Sequence, residues 1–167
     1  MIELTFYDFH EHYYDIRDEK FPDDFIQLYV MKNGLGDVLY VGISTVDVWG
    51  RWFGWGGHVL WDGNVIYGDS PIGVKIENHL PESLQWKIQL WTLDDCLEYC
   101  RNKLPKDYSG MTVQDIEPIM IQKLRPALNV HYNTSPGKDT TPKSKKEIEL
   151  EESAQKAYDE IFNKRDR

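Results

Sequence analysis

Two tyrosines, an arginine, a glutamate and an asparagine are spaced along the chain so that each falls in or just after a different predicted element. Tyr29 and Tyr40 are eleven positions apart, Arg51 follows Gly42 by nine, and Glu117 precedes Pro126 and Asn129 in the pattern Glu-x8-Pro-x-x-Asn. A lone carboxylate such as Glu117 can hold one Mg2+ or Mn2+ while most of the ion's shell stays water and phosphate oxygen, as magnesium prefers. The guanidinium of Arg51 is a permanently charged fork that matches a phosphate. A phenol can orient or deprotonate a water, although with an ordinary pKa of about 10 it needs help from a metal or a cation such as Arg51. Asn129 suits either the end of the glutamate's helix or a metal-bound water. Singly, each residue has an ordinary explanation: tyrosine pairs pack hairpins, helical glutamates are mostly solvated, and a lone arginine is mostly a surface residue.

The elements that must position these groups are readable in outline. Residues 25–31 suit a strand, Asn33-Gly34-Leu35-Gly36-Asp37 supplies turn chemistry, and residues 38–43 make a second strand, so the tyrosines sit on the two arms of a β-hairpin. Ser44 or Thr45 can cap a short helix carrying Val46, Val48, Trp49 and Arg51, which should stop near Gly54. Residues 54–70 read as a loop or insertion. Ser70-Pro71 predicts a capped one- or two-turn helix before Pro81. Leu84, Trp86, Ile88 and Leu90 alternate onto one face of a third strand, residues 84–91. Asp94 and Asp95 are better read as helix-opening acids than as metal ligands, with Cys96, Leu97 and Cys100 toward the core. Thr112 opens the next helix, in which Ile116, Ile119, Met120 and Leu124 recur at helical spacing until Pro126. The predicted class is α/β (α+β), a small three-stranded antiparallel sheet flanked by helices over residues 25–131.

In that order, Leu28-Tyr29-Val30, Tyr40-Val41-Gly42, Arg51, Glu117, Pro126 and Asn129 resemble the GIY-YIG endonuclease family, which includes homing and restriction nucleases and the first-incision domain of bacterial excision repair. The resemblance covers residues 25–131. It implies a metal-dependent endonuclease acting on DNA, with one Mg2+ (or Mn2+) on Glu117, water handled by Tyr29 or Tyr40, and Arg51 on the phosphate. Phosphodiester hydrolysis needs such a set, because charge grows on the phosphate oxygens while water attacks and a sugar oxygen leaves. The first motif lacks the family's glycine, with Gln27 or Leu28 at that place, and Ile43 stands where some members carry a lysine. His58 is either an exposed loop histidine or, as a nearby histidine does in some members, a general base or phosphate contact beside Arg51. His10, His12, His79 and His131 read as structural or surface residues.

Composition bounds the rest. With 167 residues, 41% of them hydrophobic and 13% aromatic, the chain can close a real core. The N-terminus lacks the basic start and long apolar run of a signal or membrane span, so an intracellular, cytoplasmic location is expected. A net charge of −9 argues against tight non-specific DNA binding, but residues 1–24 hold eight acids against two bases, and residues 25–131 only twelve against nine. Residues 1–24 read as an acidic arm in which Ile2-Glu3-Leu4-Thr5-Phe6 alternates like a strand. Residues 132–146 read as a polar linker, mobile for want of apolar anchors, and 147–167 as an amphipathic helix that docks on the core, a second copy or another protein. Cys96 and Cys100 read as buried free thiols. Trp49, Trp52, Trp55 and Trp61 fit burial, with base stacking as the other use, above all at Trp55. Two alternatives to an active nuclease stand beside it: a binding module that keeps the fold without turnover, and a nuclease subunit recruited by a partner through the tail helix or acidic arm.

Overall fold

The computed structural model describes residues 1–20 and 26–165. Along the chain, β1 (Ile2–Thr5) leads into α1 (Phe6–Lys20), the hairpin β2 (Ile26–Lys32) and β3 (Val38–Ile43), and α2 (Val48–Phe53). A second hairpin, β4 (Val59–Asp62) and β5 (Val65–Gly68), precedes α3 (Pro71–Asn78), β6 (Lys87–Thr92), α4 (Leu93–Tyr99), α5 (Val113–Leu124) and α6 (Lys145–Arg165). The expected strand start at Phe25, and residues 21–24 of the acidic arm, lie outside the described residues.

The main sheet has four antiparallel strands in the order β1-β6-β2-β3, not three. The fourth is the alternating stretch at the N-terminus, paired with β6 from Ile2 opposite Leu90 to Thr5 opposite Lys87. The acidic arm then turns into α1, capped where Thr5 Oγ1 accepts from the Asp8 amide at 3.0 Å. Phe6, Phe9 and Tyr13 recur at helical spacing and are buried, while Glu11, Asp15, Asp18 and Glu19 stay exposed. The acids are thus the solvated face of a helix packed on the core.

Two apolar clusters flank the sheet. Tyr29, Met31, Ile88 and Leu90 face α1, α2 and α3, whereas Leu28, Val30, Val41 and Trp91 face α4 and α5. β2 is buried on both faces, hence its unbroken apolar reading. In β3, Lys32 pairs with Val38 but Met31 pairs with Tyr40, so Leu39 is an extra residue in a bulge. That bulge keeps Tyr40 opposite Met31 and on the Tyr29 face. β3 is an edge strand, and its outer side is covered: Ala127 and Leu128 amides donate to Val38 and Leu39 carbonyls at 3.0 and 2.9 Å.

Several local expectations change. α2 is capped by Asp47, whose carboxylate accepts from the Gly50 amide at 3.1 Å and from Tyr14 Oη at 2.7 Å, so Val46 lies outside the helix. The presumed loop at 54–70 contains the second hairpin, which turns at Gly63, in the left-handed region at φ 58°. α4 opens ahead of the acids, with Thr92 as cap in a capping box with Asp95, whereas α5 opens as read after Thr112, whose amide donates to the Asp115 carboxylate at 2.8 Å. Cys96 and Cys100 are free and buried, and burial pushes the Cys96 thiol up to about 12, so it stays protonated.

The linker has no buried apolar residue but does have polar anchors. Asp37 accepts from the Thr140 amide at 2.8 Å, Asn33 Nδ2 donates to Thr141 Oγ1 at 2.7 Å, and the Gly137 amide donates to the Arg125 carbonyl at 2.8 Å. The first turn of α6 is clamped to α3: Lys75 bridges Asp139 and Glu147 at 3.0 and 3.2 Å, Lys146 reaches Glu77, and Glu147 also meets the buried His79. Beyond that turn α6 is exposed, with Leu150, Tyr158 and Ile161 in solvent. No described helix is long and apolar enough to cross a membrane.

Candidate functional site

Tyr29 is wholly buried in β2, and its ring lies over Gly42 in the paired strand. A Cβ on Gly42 would stand 2.4 Å from Tyr29 Oη. The glycine of the second motif therefore makes room for the tyrosine of the first. Gly42→Ala is expected to cost about 1–3 kcal/mol by overpacking, lowering the melting temperature by roughly 2–4 °C per kcal/mol in a chain of this size. An unchanged melt would mean that Tyr29 does not depend on that gap.

The Tyr29 hydroxyl begins a chain of hydrogen bonds that runs through His58 to Ser70. Arg51, from the last turn of α2, lies close enough for its charge to act on the Tyr29 phenol. The phenol oxygen is hydrogen-bonded to His58 Nε2 at 2.8 Å. On its other side the imidazole is hydrogen-bonded through Nδ1 to Ser70 Oγ at 2.7 Å. Ser70 Oγ in turn accepts from the Gly73 amide as the cap of α3. His58 is only 3% exposed, so it is not the surface histidine that its loop suggested. Its position rests on a close approach, because a Cβ on Gly73 would meet the His58 carbonyl at 2.0 Å. Trp52, fully buried, packs edge-on to Tyr29 at 5.4 Å and against His58 at 4.7 Å.

Electrostatics follow from this burial. Burial, and then Arg51's charge, push the His58 imidazole down to about 4, leaving it neutral at pH 7. Burial and then Tyr40 raise Tyr29 far above the usual phenol range; Tyr40 is raised mainly by burial. Charges of Arg51 and Glu117 act on both phenols, the first lowering and the second raising them. Glu117, half-buried on α5, is itself raised by desolvation. Among the described residues neither Arg51 nor Glu117 has an ion-pair partner. Tyr40, with its ring 6.3 Å from that of Tyr29, is the half-exposed member of the pair.

Asn129 lies at the rim of this group. Its amide is committed to β3, where Oδ1 accepts from the Val41 amide at 2.9 Å and Nδ2 donates to the Val41 carbonyl at 2.8 Å. It satisfies both backbone groups next to Tyr40 and ties the chain after α5 to the edge strand. Ser70 is the position that the sequence did not single out for this site. His10 sits between Trp49 and Trp61, stacked on the latter at 3.8 Å, and His79 lies against Trp86 at 5.2 Å, both in packing roles.

A single bound divalent cation fits this donor set in one way. Among the described residues no three His, Cys, Asp or Glu side chains are grouped to enclose an ion. Glu117 is a desolvated carboxylate without a cation, which suits one protein ligand completed by water and substrate oxygens. The fold is an α/β domain whose two hairpin phenols share one sheet face and feel the charges of both Arg51 and Glu117. Family models, curated proteins and solved structures give no match to the chain.

Proposed function

We propose that the protein is a metal-dependent endonuclease of the GIY-YIG type that hydrolyses phosphodiester bonds in DNA. One observation carries this reading: Arg51 and Glu117 bring opposite charges to the same two phenols, yet neither is neutralised by an ion pair among the described residues. Arg51 is then free to receive a phosphate, and Glu117 to hold one Mg2+ or Mn2+, which when bound would polarise the phosphate and lower the pKa of water.

The two phenols divide the work. Tyr29 has its hydroxyl engaged by His58 and is closed to solvent, so it is a positioning residue and not the one that meets water. Tyr40 is half-exposed and orients the attacking water, with Arg51's positive charge favouring its ionised form. His58, neutral at pH 7, is hydrogen-bonded to the Tyr29 phenol and holds it in place. Asn129 holds the Tyr40 strand. α6, with its exposed Leu150, Tyr158 and Ile161, favours a second reading in which a protein partner or a second copy brings this nuclease to DNA.

Purified protein should nick supercoiled plasmid in Mg2+ or Mn2+ and stop when EDTA is added. Binding to plasmid without metal-dependent cutting would instead favour a module that has the fold and no turnover.

A further inference from the structure

The turn after α2 presents Trp55 in a way that core packing does not explain. Its side chain is fully exposed, at 106%, while the neighbouring Trp52 is at 0%. The backbone beneath it is fixed: the Gly54 amide donates to the Gly50 carbonyl at 2.8 Å, the Gly57 amide to the Gly54 carbonyl at 2.9 Å, and Gly56 takes the left-handed conformation at φ 71°. A Cβ at Gly57 would meet the Trp52 carbonyl at 2.5 Å, so the turn is pressed against α2. A rigid loop thus holds an indole in water, at a cost in apolar exposure.

Beside it runs a groove of about 550 Å3 between this turn and the β4–β5 hairpin, a size within the roughly 300–1,000 Å3 typical of small-ligand clefts. Trp55, Leu60 and Tyr67 line it, all more than half exposed, along with the backbone of Gly54, Gly57 and Gly68. No lysine or arginine lines it, and Asp69 is the one charged residue among those that do. Such a wall offers a phosphate no cation and carries an acceptor-bearing residue at its edge. The groove also adjoins the site, since Gly57 and Val59, on either side of His58, belong to its lining.

We propose that this groove is a subsite for one unpaired nucleobase, which stacks on Trp55 with its N–H edge toward Asp69 while its phosphate lies outside, toward Arg51. A flat, neutral, donor-bearing ring is the occupant that these walls select, and base–aromatic stacking tolerates any sequence. The inference rests on the nuclease reading for the identity of the ligand, but its test needs no turnover.

Binding of the full chain to three DNA duplexes in EDTA, by fluorescence anisotropy, provides that test: one fully paired, one with a single bulged nucleotide, one with an abasic bulge. Trp55→Ala should weaken binding to the bulged duplex by roughly 5- to 100-fold, the range of a lost stacking contact. The abasic bulge should cost the wild type a similar factor and the variant nothing further, because the same contact is removed twice. Trp55→Phe should keep most of the affinity. The subsite is refuted if the wild type does not distinguish bulged from abasic DNA, or if Trp55→Ala weakens all three duplexes alike. Failure of plasmid cleavage would count against the nuclease reading, and the base contact, read without metal, would stand or fall separately.

Discussion

Glu117→Ala should lower metal-dependent cleavage by at least roughly 10²- to 10³-fold, the usual loss when one group that stabilises the transition state is removed. The effect is large because no other acidic or histidine cluster among the described residues offers a metal position. Affinity for DNA should hold or rise slightly, since a half-buried negative charge is withdrawn from the neighbourhood of a phosphate. Acidity should act through the same group. Desolvation holds the Glu117 carboxyl above its ordinary range, so protonation begins at a higher pH than for a solvated glutamate and removes the metal ligand as pH falls. The linked stability has the opposite sense, because a raised folded-state pKa favours folding below that pKa and loses the gain as pH rises through it. Glu117→Gln should therefore melt no lower than wild type at pH 7 while failing to cut. Undiminished cutting by a contamination-free Glu117 variant would place the chemistry elsewhere.

The part of the site visible in the sequence is the part set by local rules. The hairpin phenols follow from a strand, a turn and a strand, Glu117 from a capped helix, and Asn129 from the stop after Pro126. Long-range packing hid the rest. His58 sits among glycines and looked like loop, but a second hairpin and the glycine contact with α3 bury it. Ser70 was readable as a helix cap, whereas its use by a histidine twelve positions earlier depends on how β5 meets α3. The bulge at Leu39 leaves alternation intact on either side and is evident only from pairing.

The miscounted sheet has a related cause. Charge dominated the reading of residues 1–24, yet Phe6, Phe9 and Tyr13 mark a buried helical face whose acids merely point outward. β1 is four residues long, and its place is decided by an edge of β6 more than eighty positions away. The linker misled in the opposite direction, because absence of apolar anchors does not exclude polar ones. Asp37 and Asn33, in the β2–β3 turn, hold Thr140 and Thr141 across more than a hundred positions. The paired hydrogen bonds of Asn129 to Val41 likewise clamp the edge strand across 88 positions.

Arg51→Ala carries the second largest expected effect, and unlike the Glu117 change it should damage binding as well as turnover. The guanidinium meets the phosphate in the ground state and again when charge grows on its oxygens, so kcat and DNA affinity should both fall. For the chemical step the loss should again be roughly 10²- to 10³-fold. Without Arg51, the positive charge that adds to burial in depressing His58, and that lowers both phenols, disappears. The His58 imidazole should titrate at a higher pH than in the wild type, read by its ring-carbon NMR signal. Arg51→Lys keeps the charge but not the planar fork, so it should restore much of the His58 titration and little of the cleavage. Cutting by Arg51→Ala at the wild-type rate would remove the phosphate contact from the site, and with it the reason for placing substrate over the two phenols.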